Sequence, residues 1–139
     1  MALGEIMNLE LIANAPQYFE FIRKLRNHPQ LKVGFIQQED ISPLDHADYM
    51  LKHGNHYFIC MLSGVPVGFI GVINDDIRLA VDPLFQNLGV AKFMVGEIVK
   101  IYPMAQAKVK VTNSASLRLF QSLEFSEEFV IFTQSNNPR

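Results

Sequence analysis

The chain has one cysteine, Cys60. A single thiol excludes an intramolecular disulfide and fits a reducing compartment. Charge is also scarce: Asp, Glu, Lys and Arg make up 19% of the residues, below the ~25% usual for soluble domains. Twelve basic residues against fourteen acidic ones leave a net charge of −2. The basic footprint that nucleic-acid binding requires is therefore missing, and no basic and aromatic residues interleave as they do in single-strand binders. Long apolar runs are missing too. The most apolar stretch, Phe58 to Ile73, is broken by Ser63-Gly64 and Pro66 and is too short to span a bilayer. Met1-Ala2-Leu3-Gly4-Glu5 has neither the basic region nor the apolar core of a secretory signal. A cytoplasmic location, away from membranes, is expected.

What is present is apolar material. Hydrophobic residues make up 49% of the 139, enough for a full core and too many for disorder. No repeat or linker divides the chain, so residues 1–139 are expected to form one domain. Periodicity predicts a strand over 7–12, then a helix over 16–25 with Pro16 near its start, ended by Asn27-His28-Pro29. Ser42-Pro43 opens a second helix, to about Lys52. A meander follows over 56–62, 65–73 and 77–81, with turns at Ser63-Gly64 and Asn74-Asp75-Asp76. A helix over 88–101, a strand over 107–111, a helix from Asn113 or Ser114 to Leu123 and a strand over 125–133 complete the chain. The order β-α-α-β-β-β-α-β-α-β implies an α+β fold: a single mixed, mostly antiparallel sheet with helices on both faces.

The segment Val81-Asp82-Pro83-Leu84-Phe85-Gln86-Asn87-Leu88-Gly89-Val90-Ala91 joins a strand to an amphipathic helix. A helix N-terminus presents unpaired N–H groups and the positive end of its dipole. Gly89 and Ala91 are small enough for a ligand to come close to the backbone. Such a turn suits a pyrophosphate. The spaced glycines of a dinucleotide fold and the Gly-Lys-Ser/Thr ending of a P-loop are both absent.

These residues resemble the GNAT superfamily of acetyl-CoA-dependent N-acetyltransferases. That family has a Q/R-x-x-G-x-G/A turn, and this chain has Gln86-Asn87-Leu88-Gly89-Val90-Ala91. The family's N-x-x-S/A-x-x-L-Y-x-x-L-G-F segment is matched by Asn113 to Phe125, and its P-V-G-F strand by Pro66-Val67-Gly68-Phe69. The resemblance implies acetyl-CoA as cofactor. It implies that backbone groups of Leu79, Ala80 and Val81 face the thioester and pantetheine. It further implies that N–H groups from Gln86, Asn87, Leu88, Gly89, Val90 and Ala91 hold the pyrophosphate. Lys92 is a candidate phosphate ligand or a solvated helix residue. Asn113 and Ser116 would lie along the pantetheine arm, and Phe120 would also line the cofactor site. Two positions depart from the pattern: Phe120 stands where the family's general-acid tyrosine is usual, and Glu124 replaces a glycine. The first leaves the general acid unassigned.

Acetyl transfer needs a neutral amine, a polarised carbonyl and aligned reactants. Asp75 and Asp76 are candidate bases, or simply hairpin-turn residues. Arg78 alternates with Ile77 and Leu79, so it either binds an anionic substrate group or pairs with an acidic side chain. Arg26-Asn27 and His46 resemble the acceptor side of GNAT enzymes that acetylate amino groups of nucleotide-linked sugars. Arg26 also suits a helix C-terminus, and His46 an ordinary helix position. His56 is a further acceptor-cleft candidate. His53 and His56 do not suggest a metal site, because Gly54-Asn55 interrupts the helix that would align them. The implied function is acetyl transfer from acetyl-CoA to a primary amine of a small molecule, such as an amino sugar, by direct attack. Acetylation of a protein amine, or CoA binding without turnover, are the alternatives. Apolar strands near the carboxyl end would suit a homodimer.

Overall fold

Among the described residues four strands, β1 (Leu9–Ala13), β2 (Tyr57–Leu62), β3 (Val65–Ile73) and β4 (Asp76–Val81), form one antiparallel sheet in that order. The structure is a computed structural model that describes residues 8–36 and 39–135. The first residues of the expected 7–12 strand therefore lie partly outside it. Both hairpins turn on two successive residues of positive φ, Ser63 (48°) and Gly64 (85°), then Asn74 (51°) and Asp75 (66°). Turns of this hand match the twist of paired strands. Ser-Gly and Asn-Asp stand there because they tolerate it.

Among the described residues five α-helices accompany the sheet: α1 (Phe19–Arg26), α2 (Pro29–Lys32), α3 (Pro43–His53), α4 (Val90–Ile101) and α5 (Ser114–Ser122). α3 starts as expected, with Ser42 Oγ accepting the Asp45 N–H at 3.1 Å. α2 departs from the sequence reading, which took Pro29 only as a stop. His28 Nδ1 accepts the Gln30 N–H at 3.1 Å, and the proline's fixed φ suits the first position of a new turn.

Each face of the sheet carries a core. Under α1 and α3, Ile22, Leu25 and Met50 meet Tyr57, Ile59 and Phe69. Under α4 and α5, Val90, Met94, Ile98 and Phe120 meet Cys60, Val67 and Ile70. β3 is buried on both faces from Val67 to Ile73, and its sequence is accordingly a nearly unbroken apolar run. β4 alternates. Ile77, Leu79 and Val81 face α4, while Ala80 faces the other core, and Asp76 and Arg78 share the side of Ala80. Burial pushes the Cys60 thiol pKa up to about 12, so it remains an inert core thiol.

The two strands expected at 107–111 and 125–133 are not formed among the described residues. The return from α4 makes one parallel bridge, Asp76 to Gln106. Ile77 N–H donates to Gln106 C=O at 2.8 Å, and Gln106 N–H to Asp75 C=O at 2.7 Å. Beyond it the chain leaves the edge of β4, with Lys108 reaching back to Asp76 at 2.9 Å. After α5, Phe125 packs edge-on against Phe120, with ring centroids 5.2 Å apart. Phe129, Val130, Ile131 and Phe132 are exposed, Phe132 at 92%. Four consecutive apolar residues form a stable strand only when both faces are covered, and the single sheet layer does not cover them.

Two side chains tie the α1 and α3 layer together. Tyr57, Gly71 and Arg78 stand in one row across β2, β3 and β4. The Tyr57 ring lies over Gly71, where a Cβ would approach it to 2.6 Å. His46, 2% exposed, donates its Nε2–H to Phe19 C=O at 2.8 Å, which leaves Nδ1 buried without a partner among the described residues.

Gly71→Ala is expected to cost about 1–3 kcal/mol, the usual penalty for overpacking a filled core, seen as a lower urea midpoint. A wild-type midpoint would mean that the Tyr57 ring has room to move aside. Burial holds the His46 pKa below its ordinary value of 6.5. Between those two values the unfolded chain binds a proton that the native chain does not. Stability is therefore expected to fall as pH drops below about 6.5 and to be fully kept above it. Thermal melts across that range check the direction, and a His46→Gln variant should flatten it.

Candidate functional site

The loop after β4 is shaped by short-range chemistry. Asp82 Oδ1 accepts the Leu84 N–H at 3.0 Å, starting a short 3₁₀ turn over Pro83–Phe85. Gln86 is extended, and Asn87 has φ 63°. Gly89 is left-handed, at φ 79° and ψ 14°, and immediately precedes α4. A Cβ there would strain the backbone. No side chain among the described residues caps α4. Its first intrahelical bond runs from the Phe93 N–H to Gly89 C=O at 3.0 Å, so the N–H groups of Val90, Ala91 and Lys92 have no helix partner. Gln86, Asn87 and Lys92 are exposed, and Leu88 and Ala91 half-buried.

β4 forms the outer edge of the sheet. The Asp82 N–H donates to Val67 C=O at 2.8 Å. Counting back by the alternation of an antiparallel ladder, Ala80 and Arg78 turn their backbone groups toward β3. Ile77, Leu79 and Val81 turn theirs outward. Gln106 takes the Ile77 group. Leu79 and Val81 have no outward backbone partner among the described residues. Two of the three expected pantetheine-facing residues thus present their N–H groups at this edge, and Ala80 does not.

Asn113 caps α5, its Oδ1 accepting the Ser116 N–H at 3.2 Å, while its Nδ2 donates to Gly34 C=O at 3.3 Å. Lys110 Nζ donates to the neighbouring Val33 C=O at 3.4 Å. These bonds bring the loop after α2 against the start of α5. Phe120 is buried in the α4 and α5 core and offers no proton.

The other sequence candidates do not share one place. Asn27 clamps the segment before α3, donating to Ile41 C=O at 2.9 Å and accepting its N–H at 2.8 Å. His46 joins α3 to α1 as described. His56 lies by the far end of α4, with Nδ1 3.5 Å from the Tyr102 hydroxyl. Asp75 is exposed in the hairpin turn, and Asp76 Oδ2 pairs with Lys108 while Oδ1 is buried without a partner among the described residues. Arg26 and Arg78 do converge, both on Tyr49: the Arg26 guanidinium lies 4.8 Å from the centroid of its ring, and Arg78 Nη1 donates to its hydroxyl at 3.4 Å. Tyr49 and Tyr57, whose hydroxyls are 2.7 Å apart, were missed by sequence reasoning. Gly71 opposite Tyr57 was the available signal, because a glycine within a strand often marks a close approach. Among the described residues no group of three or more His, Cys, Asp or Glu side chains is placed to hold a metal, and no helix is long and apolar enough to cross a membrane.

A domain from Methanocaldococcus jannaschii has a TM-score of 0.76 at 19% identity, over 86% of this chain and 89% of that one. The spermidine N-acetyltransferase of Vibrio cholerae, solved with CoA and spermine, has a TM-score of 0.73 at 18% identity, over 87% and 82%. An aminoglycoside N-acetyltransferase solved with CoA has a TM-score of 0.66 at 22% identity, over 93% and 95%. At such identities these likenesses establish the fold alone. No curated protein matches the chain. The sequence profile of the acetyltransferase (GNAT) family matches residues 19–125, a span that includes the β4 edge, the uncapped turn and the Asn113 segment. This chain belongs to the GNAT acetyltransferase family.

Proposed function

We propose that this protein transfers the acetyl group of acetyl-CoA to a primary amine of a small molecule, by direct attack. The observation that carries the reading is the uncapped start of α4 behind left-handed Gly89, next to a strand edge with outward N–H groups at Leu79 and Val81. An anion is the natural occupant of such a helix end. The residues present fit CoA. The N–H groups from Gln86 to Lys92 would take the pyrophosphate, the edge of β4 the pantetheine amides, and Asn113 and Ser116 would flank the arm. When bound, acetyl-CoA supplies an acyl group activated as a thioester.

The protein's part is positioning and charge stabilisation. The outward N–H of Leu79 would donate to the acyl oxygen as negative charge develops there, leaving Val81 to the pantetheine arm, and a fixed backbone donor needs no reorganisation. Phe120 has no proton to give, so solvent or the product ammonium protonates the departing thiolate. Asp75 in its exposed turn and Asp76 paired with Lys108 suit hairpin roles better than that of a base. The amine therefore arrives neutral from solvent, and the rate should rise with pH toward the pKa of the amine. The acceptor-side elements α1, α2 and α3 lie over the opposite face of the sheet from α4. An amino sugar is one candidate acceptor, suggested by the Arg26-Asn27 and His46 resemblance.

Gly89→Asp is expected to abolish acetyl-CoA binding in calorimetry, because it strains a left-handed residue and sets a carboxylate against phosphate. Unchanged affinity in this variant would remove the turn from the site. Turnover is checked by mass spectrometry on a panel of primary amines, with an acetylated amine and free CoA as the expected products. Tight acetyl-CoA binding with no product from any amine would favour a CoA sensor instead.

A further inference from the structure

The convergence of Arg26 and Arg78 on one phenol is set by the tertiary fold. Arg26 comes from α1, Tyr49 from α3, Tyr57 from β2 and Arg78 from β4. Gly71, between Tyr57 and Arg78 in their row, makes room for the Tyr57 ring. Tyr57 is 1% exposed, and both arginines are half-buried. Burial and the Tyr49 hydroxyl raise the Tyr57 pKa, while the charges of Arg26 and Arg78 oppose that rise.

Neither arginine has a carboxylate partner among the described residues. The ion pairs there are Arg23 with Glu20, Lys32 with Asp40, Lys100 with Glu97 and Lys108 with Asp76. Asp76, on the same side of β4 as Arg78, is thus already engaged by Lys108. Of all the guanidinium N–H donors the pair carries, only Arg78 Nη1 has an acceptor among the described residues, the Tyr49 hydroxyl. Half-buried guanidiniums without a counter-anion are costly to keep, and their fork of donors matches carboxylate and phosphate oxygens.

We propose that Arg26 and Arg78, steadied by Tyr49 and Tyr57, hold an anionic oxygen group of the acceptor, so that the substrate is an amine bearing a carboxylate or a phosphate. This rests on the acetyltransferase reading above. Arg78 directly precedes Leu79, whose outward N–H belongs to the acyl site, so the anion would be held next to the point of transfer. The two arginines act on specificity rather than on the bond that is made.

The test titrates the ¹⁵N-labelled protein with inorganic phosphate and, separately, with acetate, following the arginine Nε–H resonances. Sodium chloride at matched ionic strength is the control. The expected result is a saturable shift at Arg78 and Arg26 with at least one of the two anions and none with chloride. Affinity should fall about tenfold or more in Arg78→Gln and partly recover in Arg78→Lys. Saturation by phosphate at the lower concentration assigns a phosphorylated amine, and by acetate a carboxylated one. No saturable shift with either anion, or a shift undiminished in Arg78→Gln, overturns the proposal. If Arg78→Gln does not fold, Arg26→Gln decides by the same criterion. Acetyl-CoA binding is measured in the same wild-type sample. Binding of acetyl-CoA without the anion overturns this subsite and leaves the transferase reading standing, and binding of the anion without acetyl-CoA does the reverse.

Discussion

β4 is hydrogen-bonded along one side and almost bare along the other, and the rest of the site depends on that asymmetry. Its inward groups at Ala80 and Arg78 complete the ladder with β3. Among the described residues its outward groups meet protein once, at the Gln106 bridge. A bare edge normally invites aggregation or strand addition. Here it is short, and the next segment carries Lys108 and Lys110, the residue type that commonly guards edges. The same strand ends in the turn that aims α4, so backbone donors at the edge and at the helix start are fixed by one element.

That arrangement is held from both faces. Ile77, Leu79 and Val81 bury against α4, whose Val90, Met94 and Ile98 fill the opposite side of the contact. The core offsets the cost of leaving α4 without a capping side chain, which, with glycine at the cap position, is a deficit of roughly a few tenths of a kcal/mol. On the other face, Ala80 is the small residue that lets the α1 and α3 layer approach. Arg78 reaches through the same layer to Tyr49. The two candidate ligand sites therefore lie on one strand but answer to different cores.

Much of this was legible in the sequence where the cause is local. Ser42-Pro43, Ser63-Gly64 and Asn74-Asp75 act through their own backbone, and each element appears where its residues point. The Gln86 to Ala91 segment reads as a candidate ligand turn because Gly89 and Ala91 are small and stand at a helix start; the left-handed backbone at Gly89 is seen only in the structure. The misses have tertiary causes. Alternation in Ala107-Lys108-Val109-Lys110-Val111 describes a strand, but a strand exists only if a neighbour stays alongside, and past Gln106 β4 has none among the described residues. Asn27 looked like a ligand residue, although its amide is used up by Ile41. His46 reads as an acceptor-side candidate or as an ordinary helix-surface or core histidine; it is buried and bridges two helices, a partner periodicity does not name. The meeting of Arg26, Tyr49, Tyr57 and Arg78 spans four elements. Periodicity assigns each residue to a face and says nothing of which residues share it.

The central claim is that cofactor phosphates are held by backbone N–H groups at the start of α4. Amide ¹H–¹⁵N shifts on titration with acetyl-CoA test it most directly, with NAD as the control nucleotide. The account predicts that the largest shifts fall on Gly89, Val90, Ala91 and Lys92, with Leu79 and Val81 following and NAD without effect. Saturable acetyl-CoA binding that leaves those amides unmoved, or shifts them no more than NAD does, would contradict it.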